Sequence, residues 1–282
     1  MRRYQGVASK GPTVAGLMLL AILCRMAQPA EPLAPGTPQN QQVEVTASLP
    51  GTRDEKTLAQ LLSAQDAFMR HRALAPDATL GFRLYARLDP HDLERLRLFQ
   101  VDGGQRREVP LDDHQRFALD PSWTRADADR GVLLQTNLPD GAVAWKVDVR
   151  TPGLADDRRR LGDLRLECEA DTFHGNLQRG LRTPISAVLD ASDELCLLDD
   201  AQAWFAERPI FAVTLVDGAR RRLLPYRYLH GSNGTMALAG LFDWPYALRD
   251  RTWFLPLDDR SWPDGTLVVL DPMDGPQPEP SR

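Results

Sequence analysis

The sequence predicts a mainly β protein: two tandem immunoglobulin-like β-sandwich domains with a candidate internal duplication, preceded by one N-terminal amphipathic helix. Three observations carry this expectation. From about Leu80 onward, short runs rich in β-branched and aromatic residues are punctuated by Asp-Gly and Pro-Asp-Gly turns. Sustained helical spacing is confined to Arg53 to Ala73, where apolar residues recur every three to four positions. Finally, Val101-Asp-Gly-Gly-Gln-Arg-Arg-Glu-Val-Pro110 matches Val216-Asp-Gly-Ala-Arg-Arg-Arg-Leu-Leu-Pro225 at six of ten positions, at an offset of 115. A duplication explains the match, and so does the recurrence of Asp-Gly turns in any β protein.

Residues 1–30 have the layout of a secretory signal: basic Arg2, Arg3 and Lys10, an apolar run from Val14 to Cys24, then small residues around Ala27 and Ala30. The run stops at Arg25 and is too short to span a bilayer as a helix, which takes about 20 residues. Cleavage is expected after Ala30. Leu23 is too bulky to precede a lipidated Cys24, and Arg2-Arg3 fits an ordinary basic start. Residues 31–42 hold three prolines and no aromatic, the composition of a flexible linker.

The helix, with Leu58, Leu61, Leu62, Phe68 and Met69 on one face, closes before Pro76. Strands are expected at Gly81 to Leu88, Leu96 to Val101, Arg106 to Leu111, Val132 to Thr136 and Ala142 to Val149. Asp102-Gly103-Gly104 and Pro139-Asp140-Gly141 supply the turns between them. Helix and strands together form a first domain over 43–152. Thr151 to Leu161, charged and without apolar periodicity, marks a boundary. A second domain over 161–273 is expected to use strands at Leu164 to Cys168, Ile185 to Leu189, Phe211 to Val216, Arg221 to Tyr228, Met236 to Leu241, Trp253 to Leu257 and Leu267 to Leu270. The proline-containing tail, 274–282, is expected to be disordered.

Charge and cysteine usage bound the function classes. Four cations and no anions lie in residues 1–30, so the formal charge of −5 becomes −9 once they are removed. Such a chain repels phosphate backbones, and no nucleic-acid partner is expected. Arg158-Arg159-Arg160 and Arg220-Arg221-Arg222 read as solvated strand edges or turns. Arginine outnumbers lysine 31 to 3, which points to a GC-rich bacterial genome. After signal removal Cys168 and Cys196 remain, an even pair in an oxidising compartment, and a disulfide between them is expected to stabilise the chain by about 3.5 kcal/mol.

Common catalytic signatures are missing from the sequence. No phosphate-binding glycine loop precedes a lysine, no two histidines stand four residues apart, and Cys-x-x-Cys, Gly-x-Ser-x-Gly and Ser-x-x-Lys do not occur. No cofactor or metal is expected; Asp190, Asp193, Glu194, Asp199 and Asp200 match no calcium-loop spacing. Asp112-Asp113-His114 could form half of an acid–base pair. Pro225 to Trp262 holds eight of the 20 aromatic residues. There Tyr226, Tyr228, His230, Asn233, Asp243, Trp244 and Trp262 form the candidate ligand-binding set, rings for stacking and polar groups for hydrogen bonds. The same rings could instead fill a core. The expected function is an exported, periplasmic or secreted, non-enzymatic binding or accessory protein whose partner is a protein, peptide or glycan of the cell envelope. The alternatives are a periplasmic hydrolase with its site between the two domains, or a structural accessory of an envelope complex.

Overall fold

Two side chains decide where the first helix begins. In the computed structural model, which describes residues 53–87, 89–171, 202–229 and 246–273, the Thr57 hydroxyl accepts from the Gln60 amide at 3.2 Å, and the Gln60 side chain accepts from the Thr57 amide at 3.0 Å. This capping box satisfies two donors that helix geometry leaves unpaired. Helix α1 therefore spans Leu58–Arg70, and the charged residues before it, Arg53–Thr57, form strand β1 rather than the helix's first turn. Leu58, Leu61, Leu62, Ala64, Ala67 and Phe68 give α1 its buried face.

The rest of the first half runs β2 (Thr79–Ala86), β3 (Leu98–Asp102), β4 (Gln105–Val109), β5 (Arg116–Phe117), α2 (Arg125–Asp129), β6 (Leu133–Pro139) and β7 (Val143–Arg150). They make two antiparallel sheets, ordered β1-β6-β3-β4 and β5-β2-β7. Gly103 and Gly104, at φ +54° and +87°, form the two-residue turn of the β3–β4 hairpin.

The second half comprises β8 (Arg158–Arg160), α3 (Leu161–Ala170), β9 (Trp204–Phe205), β10 (Ile210–Asp217), β11 (Arg220–Leu223), β12 (Thr252–Trp253) and β13 (Leu267–Pro272), in sheets β11-β10-β13-β8 and β12-β9. Leu164 to Cys168, expected as a strand, is helical. Eight of the ten α3 residues are buried, so no apolar stripe shows in the sequence. Three of its four charged residues are buried, and each is held: Asp163 accepts from the Thr151 amide and hydroxyl, Arg165 donates to the carbonyls of Leu257, Asp259 and Trp262, and Glu167 accepts from Arg159 and the Val149 amide.

The same connectivity occurs in both halves. A strand leads directly into a helix (β1–α1, β8–α3), a hairpin follows (β3–β4, β10–β11), and a later strand (β6, β13) inserts between the first strand and the hairpin. The registers agree as well. Thr57 pairs with Leu133 and Arg160 with Leu267, and the helices open on equivalent bonds, Leu58 N to Val132 O and Leu161 N to Thr266 O, both 2.9 Å. The hairpins close on Asp102 with Gln105 and Asp217 with Arg220, which keeps the offset of 115 seen in the sequence.

The architecture is thus mixed but strand-rich, with four small antiparallel sheets. All described residues fall in one compact unit, Ala47–Arg282. Two apolar clusters fill it. Leu98, Leu134, Phe82, Phe117, Trp145 and Val147 belong to the first, with α1; Val213, Leu215, Val268, Leu270, Trp204 and Trp253 belong to the second. The clusters exchange residues across 152–161. Tyr85 and Ala144 of the first half enter the second cluster, and α3 sends Leu161 and Leu164 to the second and Leu166 and Ala170 to the first. The expected signal (1–30), linker (31–42), strands at 185–189 and 236–241, and tail (274–282) lie outside the described residues.

Candidate functional site

Of the aromatic set, Tyr226 is 67% exposed, whereas Tyr228 and Trp262 are 3% and 1% exposed and belong to the second cluster. Trp253, its neighbour in the same segment, is also buried and lies 5.4 Å from the Trp204 ring. Arg220 lies over Trp262 at 3.7 Å and so closes that ring from solvent. His230, Asn233, Asp243 and Trp244 lie outside the described residues, as do Cys196 and the acidic run 190–200. Cys168, near the end of α3, packs partly buried against the second cluster and is engaged rather than free.

The most concentrated chemistry among the described residues lies instead on one face of β5-β2-β7. Strand alternation sends Phe82, Phe117 and Val147 into the first cluster, and therefore sends Arg83, Arg116 and Lys146, which stand opposite one another, to the other face. Three adjacent cations repel unless counter-charges are supplied. The second half supplies two, Glu207 and Asp171, and β7 itself adds Asp148. Glu207 takes a bidentate pair from Arg83 at 2.6 and 2.7 Å and a third bond from Arg116 at 2.8 Å. Asp148 holds Arg116 and Arg150, each at 2.9 Å, and Asp171 holds Lys146 at 2.7 Å. Arg251 clamps the Glu207 backbone carbonyl at 2.6 Å.

Burial opposes ionisation of Glu207, but the Arg83 hydrogen bonds and the charges of Arg83, Arg116 and His114 outweigh it and bring the carboxyl down to about 2. Burial works against the Asp148 charge too, yet Arg150, Arg159 and Arg116 hold its carboxyl below the ordinary range. Glu167 is pushed up, chiefly by burial, despite its 2.6 Å contact with Arg159.

His114 sits at the rim of this network. Its Nδ1 is 3.3 Å from Glu207 and its Nε2 is 3.8 Å from Asp156, with the side chain 39% exposed. Asp112, flagged in sequence as a partner for His114, instead accepts from the backbone amides of His114 and Arg116, both at 2.8 Å, and shapes the turn. Gln115, between the two network residues, is at φ +56°, a conformation that non-glycine residues hold only under constraint. A recess of about 40 Å³ lined by Asp156, Asp157, Ala206, Glu207, Arg208 and Ile210 opens beside it. That is room for a few waters. Among the described residues no group of three His, Cys, Asp or Glu side chains could share a metal ion, and no helix is long and apolar enough to cross a membrane.

Glu207 carried no signal in the sequence. It stands 124 residues from Arg83 and 91 from Arg116, so their convergence needs the tertiary fold. His114 is the network member that sequence reading singled out. No protein-family model, curated protein or solved structure matches the chain.

Proposed function

We propose that the mature chain is an exported, periplasmic or secreted, non-enzymatic binding or accessory protein whose contact surface lies on its second half. The observation that carries this reading is where large apolar side chains meet solvent. Among the described residues, Phe211, Leu223, Tyr226 and Met273 are 73%, 64%, 67% and 49% exposed, and all four lie on or beside the sheet β11-β10-β13-β8; Met69 is the corresponding exposed residue among those described in the first half. Apolar surface concentrated on one part of a molecule marks a place where a partner removes it from water. Of the candidate set, Tyr226 is the described residue that stands in this region and reaches solvent, suited to stacking on a peptide or glycan of the cell envelope.

The layout of residues 1–30 supports export, and the engaged Cys168 supports a bridge to Cys196 in an oxidising compartment. The tandem-sandwich reading draws support from each cluster taking side chains from two sheets, and the repeated registers support a duplication. The test is a photo-crosslinking amino acid placed at Tyr226 or, in a second strain, at Met69, in the producing bacterium. Discrete adducts at Tyr226 and none at Met69 are expected; the reverse pattern, or none at either, refutes the binding reading.

One observation favours the hydrolase alternative: His114 lies between two carboxylates beside a water-sized recess, with a constrained residue next to it. Under that reading His114→Ala abolishes turnover of some ester, peptide or glycoside substrate while leaving the thermal midpoint in place. A panel of such substrates with no turnover by the wild-type protein removes it.

A further inference from the structure

The repeat provides an internal control for reading the surface. Across the outer face of β1-β6-β3-β4, one row of neighbours is Glu108, Phe99, Gln135 and Glu55, and the next is Arg106, Val101, Leu133 and Thr57. This face is closed by its own side chains. Arg97 and Arg106 lie over the Phe99 ring at 5.3 and 4.0 Å, Arg97 is bonded to Glu108, and Gln135 donates to Glu55 at 3.0 Å. At the equivalent positions of β11-β10-β13-β8 the rows are Leu223, Thr214, Val269 and Arg158, then Arg221, Val216, Leu267 and Arg160. Both carboxylates have gone. Glu108 is answered by Leu223, Gln135 by Val269 and Glu55 by Arg158.

The second face therefore has an apolar centre, with Leu223 64% exposed and Val216, Leu267 and Val269 half-buried, edged by Arg158 and Arg160 on β8 and by Arg221 on β11, with the exposed Asp271 two residues beyond Val269 at one end. Among the described residues Arg160 and Arg221 have no carboxylate partner, and Arg158 has Asp157 at a loose 3.9 Å. The other members of both arginine triplets are spent inward. Arg159 pairs with Glu167, while Arg220 and Arg222 reach Ser261 and Asp259. A positive rim on a chain of net charge −5 runs against its overall composition.

Resting on the binding reading above, we propose that this face docks an amphipathic helix of a partner protein, apolar along one stripe and flanked by Asp or Glu on both sides. Charge complementarity selects the flanks. The dimensions select the helix: three strand spacings of about 4.8 Å separate the Arg158/Arg160 edge from the Arg221 edge, and a helix with its side chains is about 10–12 Å wide. A second copy of this chain is a poor occupant, because face-to-face pairing sets one arginine rim against another.

The test uses the mature chain and two synthetic helical peptides that share a leucine stripe, one flanked by glutamates and one by lysines. In fluorescence anisotropy the glutamate peptide is expected to bind at least tenfold tighter, to weaken as salt rises from about 0.05 to 0.5 M, and to lose its advantage in the triple variant Arg158→Glu, Arg160→Glu, Arg221→Glu. Leu223→Glu is expected to weaken both peptides; Arg158, Arg221 and Leu223 are exposed and Arg160 is half-buried, and an unchanged thermal midpoint of each variant confirms folding. Equal binding of the two peptides, or an unchanged preference in the triple variant, overturns the proposal. So does a dimer in sedimentation that Leu223→Glu dissolves. Adducts at Tyr226 combined with no charge preference would leave the binding reading standing and remove this one.

Discussion

Replacing Glu207 by glutamine removes one negative charge from the point where Arg83, Arg116 and, at 3.8 Å, Arg150 converge. The cost can be reached from two directions. The carboxyl falls from its usual 4.5 to about 2 in the folded protein, and at 1.36 kcal/mol per pK unit that depression corresponds to ~3 kcal/mol. Removing one partner of a buried ion pair costs about 3–5 kcal/mol, because the stranded charge stays desolvated; the Arg83 and Glu207 side chains are 8% and 18% exposed. The two estimates agree. The sign follows from the depressed value: the stabilisation is complete above pH 4.5 and drains away as pH falls toward 2. Urea unfolding of wild type and Glu207→Gln at several pH values, taken as a difference, isolates this residue from other carboxylates. Asp54 is one that needs cancelling, since burial pushes its carboxyl up and reverses the sign of its contribution. A difference below ~1 kcal/mol at pH 7, or one that does not shrink between about pH 5 and 2.5, refutes the reasoning.

Other substitutions probe separate parts of the argument. Gly162→Ala places a Cβ 2.2 Å from the Leu74 carbonyl oxygen and 2.9 Å from the Asp264 Cβ, so the α3 start must shift at a cost of ~3 kcal/mol in urea unfolding; a neutral variant would mean that this junction yields easily. Asp54→Ala strands the Trp145 indole N–H, held at 2.8 Å, and the Gly141 and Val143 amides, and is expected to cost ~3 kcal/mol and shift tryptophan emission, with an unmoved spectrum counting against it. Gly218→Val forces a β-branched residue to φ +57° in the β10–β11 turn and is expected to lower stability by ~2 kcal/mol. The pair Arg83→Met with Glu207→Leu is expected to cost less than either change made singly, and a fully additive cycle would deny that the two groups act together.

Most strands were legible because their turns are. Gly103, Gly104, Gly141 and Gly218 all sit at positive φ between the predicted runs, and alternation brought β3, β6, β7, β10 and β13 within a few residues of their observed limits. α3 was not legible, since a helix buried on every side has no polar face to set a period. The start of α1 was written in Thr57 and Gln60, but the charged run before them looked like a helix's first turn. In the candidate site His114 could be suspected from its acidic neighbours. Glu207 could not, because one glutamate in a loop becomes a hub only when a sheet face carrying three cations is laid against it. The aromatic cluster was visible, and composition does not say which rings face inward: Tyr226 and Tyr228, two residues apart, have opposite fates.

Helix α3 anchors four of its ten residues in two different apolar clusters. Heating that loosens either cluster also withdraws support from the helix, and through it from the other. The halves, however alike in their wiring, are therefore mechanically yoked and are expected to melt in one calorimetric step. A protease cut on either side of α3 would release two fragments that each lack part of their own interior.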